Sequence, residues 1–236
     1  MTTIVVATDA PADALDGLCP PLETDEAHAL YEAMFVDACE TVQHGEADLL
    51  VNHPDGTREH LQTLLNEELP RADEVRFEPQ VGSSQAAVVG NALTHLLDRE
   101  DERMVAAMEP TAPFLRREHI GTTAMKLRKS DVVLGPAPAG RLTFVGLTQS
   151  LDFTDIYESP ALETATRRAV EAGHEVDFLP MTPRVDTERD LTTALSLLTA
   201  RQMAGRLVPP RTTAVLTSLD LTVESDGHIS RDSARE

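Results

Sequence analysis

The sequence predicts an α/β fold, a mixed and mainly parallel sheet with helices on both faces. Three observations carry this. Short apolar runs alternate with amphipathic segments of helical period along nearly the whole chain. The connections between them are short, as in crossover-linked sheets. Hydrophobic residues make up 41% of the 236 residues, enough for a sizeable core and against global disorder. With aromatics at 3% and no Trp, that core rests on Val, Leu, Ile, Ala and Met.

The elements follow in order. TIVVAT (3–8) is a buried-strand run. From Glu23 to Gln43, Ala27, Leu30, Met34, Val36 and Ala38 recur on one helical face. ADLLVN (47–52) is a strand, and TREHLQTLLNEEL (57–69) an amphipathic helix stopped by Pro70. EVRFEP (74–79) is a strand and SSQAAVVGNALTHLLD (83–98) a helix with a serine start. RMVAAM (103–108) and RREHIGTTAMKL (116–127) repeat the pattern. DVVLGPAPAGRLTFVGL (131–147) reads strand, loop, strand, and its second run has no helix before it, so it is expected to pair elsewhere or at an edge. ALETATRRAVEAG after Pro160 is a helix closed by Gly173. HEVDFLP (174–180) is a strand, and residues 186–205 a helix for which Asp186 is the expected N-cap. A short helix over 211–219 leads to the polar stretch 223–236, expected to fray. The domain proper is placed at 1–222.

Charge narrows the function classes. There are 40 Asp and Glu against 20 Lys and Arg, for a net charge of −20, and only two of the cations are lysines. The acids are spread along the whole chain, unlike a docking tail. This resembles the surface of a protein from a salt-rich cytoplasm, where salt screens the self-repulsion. Nucleic acid and anionic membranes are disfavoured as partners. No apolar run reaches the roughly 18 residues of a membrane span, and the N-terminus lacks a basic n-region, so a cytoplasmic protein is expected. Cys19 and Cys39 have no metal spacing and are read as ordinary thiols. The eight histidines show no HxxxH spacing.

In an open α/β sheet, ligands bind beyond the carboxyl ends of the strands. That rule selects ATDAP with Asp9 and Pro11, EPQVGSS with Gln80, MEPTAPF with Glu109 and Thr111, and GPAPAGR with Ala139, Gly140 and Arg141. Ser83 and Ser84 are read as helix-capping residues, since no G-x-S-x-G surrounds them. Asp190 is read as first-turn charge at a positive helix end.

MEPTAPFL, DVVLGPAPAGRLTFVGL and RVDTERDL together resemble landmarks of the nucleotide-diphospho-sugar transferase superfamily, the GT-A fold. The nearest pattern is a glycosyltransferase-like branch related to 2-phospholactate guanylyltransferase, here as a divergent haloarchaeal-type member. The resemblance runs in order over roughly residues 3–219. It implies a three-layer α/β/α GT-A domain, a nucleotide or nucleotide-sugar ligand, and Mg²⁺ or Mn²⁺ at the leaving diphosphate.

The chain departs from that pattern in four loops. Where the family's strand-four turn reads D-S-P-D-L, Thr111, Ala112, Pro113, Phe114 and Leu115 stand, without the carboxylates. Where the fifth loop reads D-G-G-Y, Ala139, Gly140, Arg141 and Leu142 stand. The K-x-P position is Asp9-Ala10-Pro11, and QAAVVGN (85–91) replaces a Gly-Glu-Arg-Met type segment. A neutral Thr111 cannot replace an anionic metal ligand. Asp9 repels a phosphate that a lysine would attract, by on the order of 1 kcal/mol or more when partly desolvated. The expectation is a degenerate transferase-like protein needing no cofactor, binding a nucleotide weakly or acting through a homodimer or another protein. The alternative is an active glycosyl- or nucleotidyltransferase with rebuilt ligands: Glu109 and Asp9 as a shifted metal pair and Arg141 on the phosphate. Under the first reading Glu109 is a surface acid or cap, and Arg141 pairs with an acid.

Overall fold

A computed structural model describes residues 2–9, 15–224 and 226–231, the side chain of Asp16 excepted. Pro11 therefore lies outside the described residues, as do Ala10 and 232–236.

Seven strands form one sheet: β1 (Thr3–Ala7), β2 (Asp48–His53), β3 (Arg76–Pro79), β4 (Val105–Met108), β5 (Val132–Ala137), β6 (Arg141–Leu147) and β7 (Val176–Phe178). Their order is β3-β2-β1-β4-β6-β5-β7. All run parallel except β6, which is antiparallel to both neighbours. The expectation that 141–147 pairs elsewhere or at an edge is thus corrected in part: it pairs with β4 as well as with its predecessor β5, and not at an edge. β6 is inserted between β4 and β5, pairing Phe144 with both Met108 and Gly135. Its residues from Leu142 onward are all buried, which only an interior strand allows. Because β6 is reversed, Arg141 at its start shares an edge with the carboxyl ends of the other strands. A bulge between Gly135 and Pro136 accommodates a proline in a paired strand.

The helices are α1 (Thr24–His44), α2 (Arg58–Glu68), α3 (Gln85–Arg99), α4 (Arg117–Lys126), α5 (Ala161–Glu171), α6 (Glu188–Met203) and α7 (Pro210–Ser218). Val36, Cys39, Leu61, Leu65 and Ile120 from α1, α2 and α4 pack on one sheet face. Val89, Leu93, Leu96, Ala165 and Ala169 from α3 and α5 pack on the other. The result is the expected three-layer arrangement. A third core lies behind the first, where Leu30 and Met34 meet Leu191, Leu198 and Leu216 of α6 and α7. Helix α1 is therefore buried on two sides, which its single predicted stripe did not show.

Two boundaries differ for physical reasons. The N-cap of α6 is Thr187, whose hydroxyl takes the Asp190 N–H at 3.3 Å while Asp190 takes the Thr187 N–H at 3.1 Å. Capping thus falls one residue past Asp186 and leaves that carboxylate for other partners. The polar segment from 223 is not frayed as far as Arg231: β8 (Leu221–Val223) pairs with β9 (Ile229–Arg231). Arg231 fastens the hairpin to the Glu26 carboxylate and to the Pro21 carbonyl, the latter at 3.1 Å.

Candidate functional site

The carboxyl edge of the sheet collects most of the charged side chains singled out from the sequence, and the local chain decides what each one does. At the end of β1, the Asp9 N–H donates to the Tyr31 hydroxyl at 2.8 Å. At the end of β3, the Gln80 amide donates to the carbonyls of Thr8 at 2.6 Å and Asn52 at 3.1 Å, bridging β1 and β2. Gln80 closes the edge of the sheet rather than reaching outward. Thr111 is buried, and its carbonyl receives the Val185 N–H at 2.8 Å. Among the described residues, its hydroxyl has no hydrogen-bond partner. Ala139 and Gly140 make the tight β5–β6 turn, with φ of 60° and 69°. A left-handed alanine is uncommon and holds the turn close.

Glu109, just past β4, is the centre of the site. It is 7% exposed. The Gln85 amide from the first residue of α3 donates to both its oxygens, at 3.1 and 3.0 Å. The Tyr157 phenol lies within electrostatic reach of it. Arg184 stands 3.4 Å from Oε2. Burial raises the Glu109 pKa, Arg184 opposes this, and the charges of Asp186 and Asp9 add to the rise; the outcome is about 7. Tyr157 is itself pushed well up by burial and by the Glu109 charge.

From Glu109 the charges continue as a chain. Arg184 also contacts Asp186 Oδ2 at 2.7 Å through Nε, an ionic contact off the N–H direction, and donates to the Leu142 carbonyl at 2.9 Å. Asp186 accepts from Arg141 at 2.9 Å. Arg141 then grips Asp190 with two nitrogens, at 2.8 and 2.6 Å, and folds back on the Pro138 carbonyl at 3.2 Å. Hydrogen bonds from Arg141 and Thr187 overcome burial and hold the Asp190 pKa below its usual value. The alternating sequence Glu109–Arg184–Asp186–Arg141–Asp190 is satisfied within the protein.

Beside it lies a cleft of about 550 Å³, between the first turns of α3 and the segment from Leu151 to Glu158. Gln85, which holds Glu109, and Tyr157 from the 151–158 segment both form part of its wall.

The structure thus brings together Glu109 and Arg141, with Asp9 in electrostatic reach of Glu109. Gln80, Ala139 and Gly140 act in the backbone of the edge. Arg184, Gln85 and Tyr157 were not singled out from sequence. Arg184 opens the RVDTERDL stretch, where only its aspartates drew attention. Tyr157 carried a signal too: the chain has two tyrosines, and each interacts with an acidic residue at this edge.

The residues do not fit the divalent metal that the fold family implies. Thr111 offers no charge, and the Glu109 carboxyl is shared between Arg184 and Gln85 and is raised by burial to about 7. Among the described residues, no three His, Cys, Asp or Glu side chains are grouped to hold a metal ion. No helix among them is long and apolar enough to cross a membrane.

Neither a scan against protein-family models nor a search of curated proteins returns a match for the sequence. Solved structures do match. A protein provisionally assigned as a nucleotide-diphospho-sugar transferase, from Desulfovibrio desulfuricans G20, superposes with a TM-score of 0.76 at 21% identity, covering 93% of this chain and 95% of that one. The 4-diphosphocytidyl-2C-methyl-D-erythritol synthase of Anaerococcus prevotii DSM 20548 gives 0.54 at 12% identity, with 84% and 98% covered. A CMP:2-keto-3-deoxy-manno-octonic acid synthetase complexed with CTP gives 0.50 at 12%, with 85% and 99% covered. The chain therefore has the fold of the nucleotide-diphospho-sugar transferases.

Proposed function

We propose that this chain is a degenerate nucleotide-diphospho-sugar transferase-like protein, which binds a nucleotide or nucleotide-sugar weakly at the carboxyl edge without metal-dependent transfer. The carrying observation is the internal pairing of the edge. Glu109, Asp186 and Asp190 are each committed to Arg184 or Arg141. An acid already neutralised and half-protonated at pH 7 is a poor ligand for a hard cation. An arginine already gripped by two aspartates is a poor grip for a diphosphate. Kinship with 2-phospholactate guanylyltransferases and a haloarchaeal-type surface belong to the same proposal, on the strength of the sequence landmarks and the net charge of −20. So does a role through a homodimer or another protein partner.

A second reading has one observation in its favour. The Glu109 carboxyl, at about pH 7, is matched to a general base acting on a hydroxyl delivered through the adjacent cleft. Transfer would then proceed on rebuilt ligands without the family's carboxylate-held cation.

Isothermal titration with CTP, GTP and a set of nucleotide-sugars, in molar KCl with and without Mn²⁺, separates the readings. CTP belongs in the set because one structural relative was solved with it. Weak binding that Mn²⁺ leaves unchanged, with no turnover, supports the proposal. Turnover abolished in Glu109→Gln supports the second reading. Binding that requires Mn²⁺ and vanishes in Glu109→Ala overturns the first.

A further inference from the structure

A second cavity, of about 580 Å³, opens among the helices on the α1 and α4 side of the sheet. It lies between the second half of α1, the start of α4, the end of α6 and the segment from Leu207 to Pro210. Three arginines line it: Arg116, Arg117 and Arg201. In a chain with twice as many acids as bases, arginines that surround one cavity are expected to carry carboxylate partners. Among the described residues none of these three takes part in an ion pair; the other arginines without one, such as Arg58, Arg99 and Arg189, are exposed, whereas Arg116 and Arg201 are half-buried.

Their surroundings make the omission costly. Arg116 Nε is shielded from solvent and, among the described residues, donates to no acceptor. Arg201 stands over the Phe114 ring, 5.2 Å from its centroid. Burial and the charge of Arg116 both disfavour its charged form. The two guanidiniums therefore repel one another across partly desolvated space. Helix α4 begins at Arg117 and adds the positive end of its dipole. Among the described residues, the acids along the wall make no ion pair with these three arginines. Asp37 and Glu40 instead engage Arg211, at 3.2 and 2.8 Å, which Glu68 shares. Glu118 is exposed on the first turn of α4, and His44 completes the ionisable set. The remaining wall is apolar, chiefly Phe114, Leu207 and Val208.

We infer that this cavity is a binding site for a small phosphorylated molecule with an apolar body, its phosphate held by Arg116, Arg117 and Arg201. The phosphate supplies the contacting acceptor that the nearby acids do not, and Phe114 with Leu207 receives the apolar part. Guanidiniums match phosphate oxygens in paired geometry, and the unsatisfied Nε of Arg116 gains its acceptor. The inference stands apart from the carboxyl-edge reading, since it uses none of the same side chains.

The test titrates phenyl phosphate, inorganic phosphate and uncharged phenol into the full chain in moderate and molar KCl. Phenyl phosphate is expected to bind at least tenfold tighter than inorganic phosphate, phenol not at all, and binding to weaken with salt. Arg116→Gln and Arg201→Gln each lower the affinity at least tenfold. Arg206→Gln, outside the cavity, leaves it unchanged. A second measurement needs no ligand: each cavity substitution raises or preserves the melting temperature, because it removes like-charge repulsion. Phenyl phosphate binding that survives both cavity substitutions, or none at millimolar concentration in moderate salt, overturns the inference. So does a melting temperature that falls by several degrees in both variants, since the arginines would then be structural.

Discussion

Arg184 places its guanidinium 3.4 Å from the Glu109 carboxylate, with the two side chains only 14% and 8% exposed. This pair decides the character of the carboxyl edge. Attraction alone would pull the Glu109 pKa down, yet burial outweighs it and lifts the carboxyl to about 7. The same residue is thereby unsuited to a cation and suited to holding a proton.

Stability should carry the signature of that proton. Folded Glu109 keeps it up to about pH 7, whereas the unfolded chain releases it near 4.5. Between those values the folded state binds more protons, so this contribution falls as pH rises. The gap is on the order of 3 kcal/mol. Chemical denaturation of wild type and Glu109→Gln in molar KCl should show the difference moving toward the variant by that amount from pH 4.5 to pH 8. A difference that stays flat across the window would contradict the assignment.

Removing the partner should cost more than removing the acid. Arg184→Met strips Glu109 and Asp186 of a shared cation and the Leu142 carbonyl of a donor. A loss of about 3–5 kcal/mol is expected, as for one half of a buried ion pair. The loss should be larger at pH 8 than at pH 5.5, where Glu109 is neutral. Arg184→Lys should recover only part of it, because one ammonium cannot serve all three acceptors.

Asp37 holds the third core together. Its carboxylate, 4% exposed, accepts the Thr212 N–H at 2.9 Å and hydroxyl at 2.7 Å, and Arg211 at 3.2 Å. It caps α7 from α1. Asp37→Ala should destabilise the fold by about 2–4 kcal/mol. Hydrogen exchange should rise first in 210–218, ahead of the sheet.

At Gly90, close approach should override helix propensity. A Cβ there would lie 2.7 Å from the Phe153 Cβ, against the floor of the 550 Å³ cleft. Alanine favours an exposed helix by about 1 kcal/mol over glycine. Overpacking costs about 1–3 kcal/mol. Gly90→Ala should therefore lower the melting temperature and shift the Phe153 resonances in NMR.

How much of this was written in the sequence depends on the range of the interaction. The layered fold and nearly every element were legible, because alternation, helical period and turn residues such as Pro70 and Gly173 act over a few positions. The carboxyl-edge rule likewise brought Asp9, Gln80, Glu109, Thr111 and Arg141 into one neighbourhood. Three things were settled only by tertiary structure. Strand β6 went to the middle of the sheet, since pairing partners are chosen by burial of both faces. Arg184 and Tyr157 reached Glu109 across 75 and 48 positions of chain, a distance no local pattern spans. And the protonation of Glu109 follows from how much water the packed helices exclude, a property of the assembled interior that no stretch of residues possesses alone.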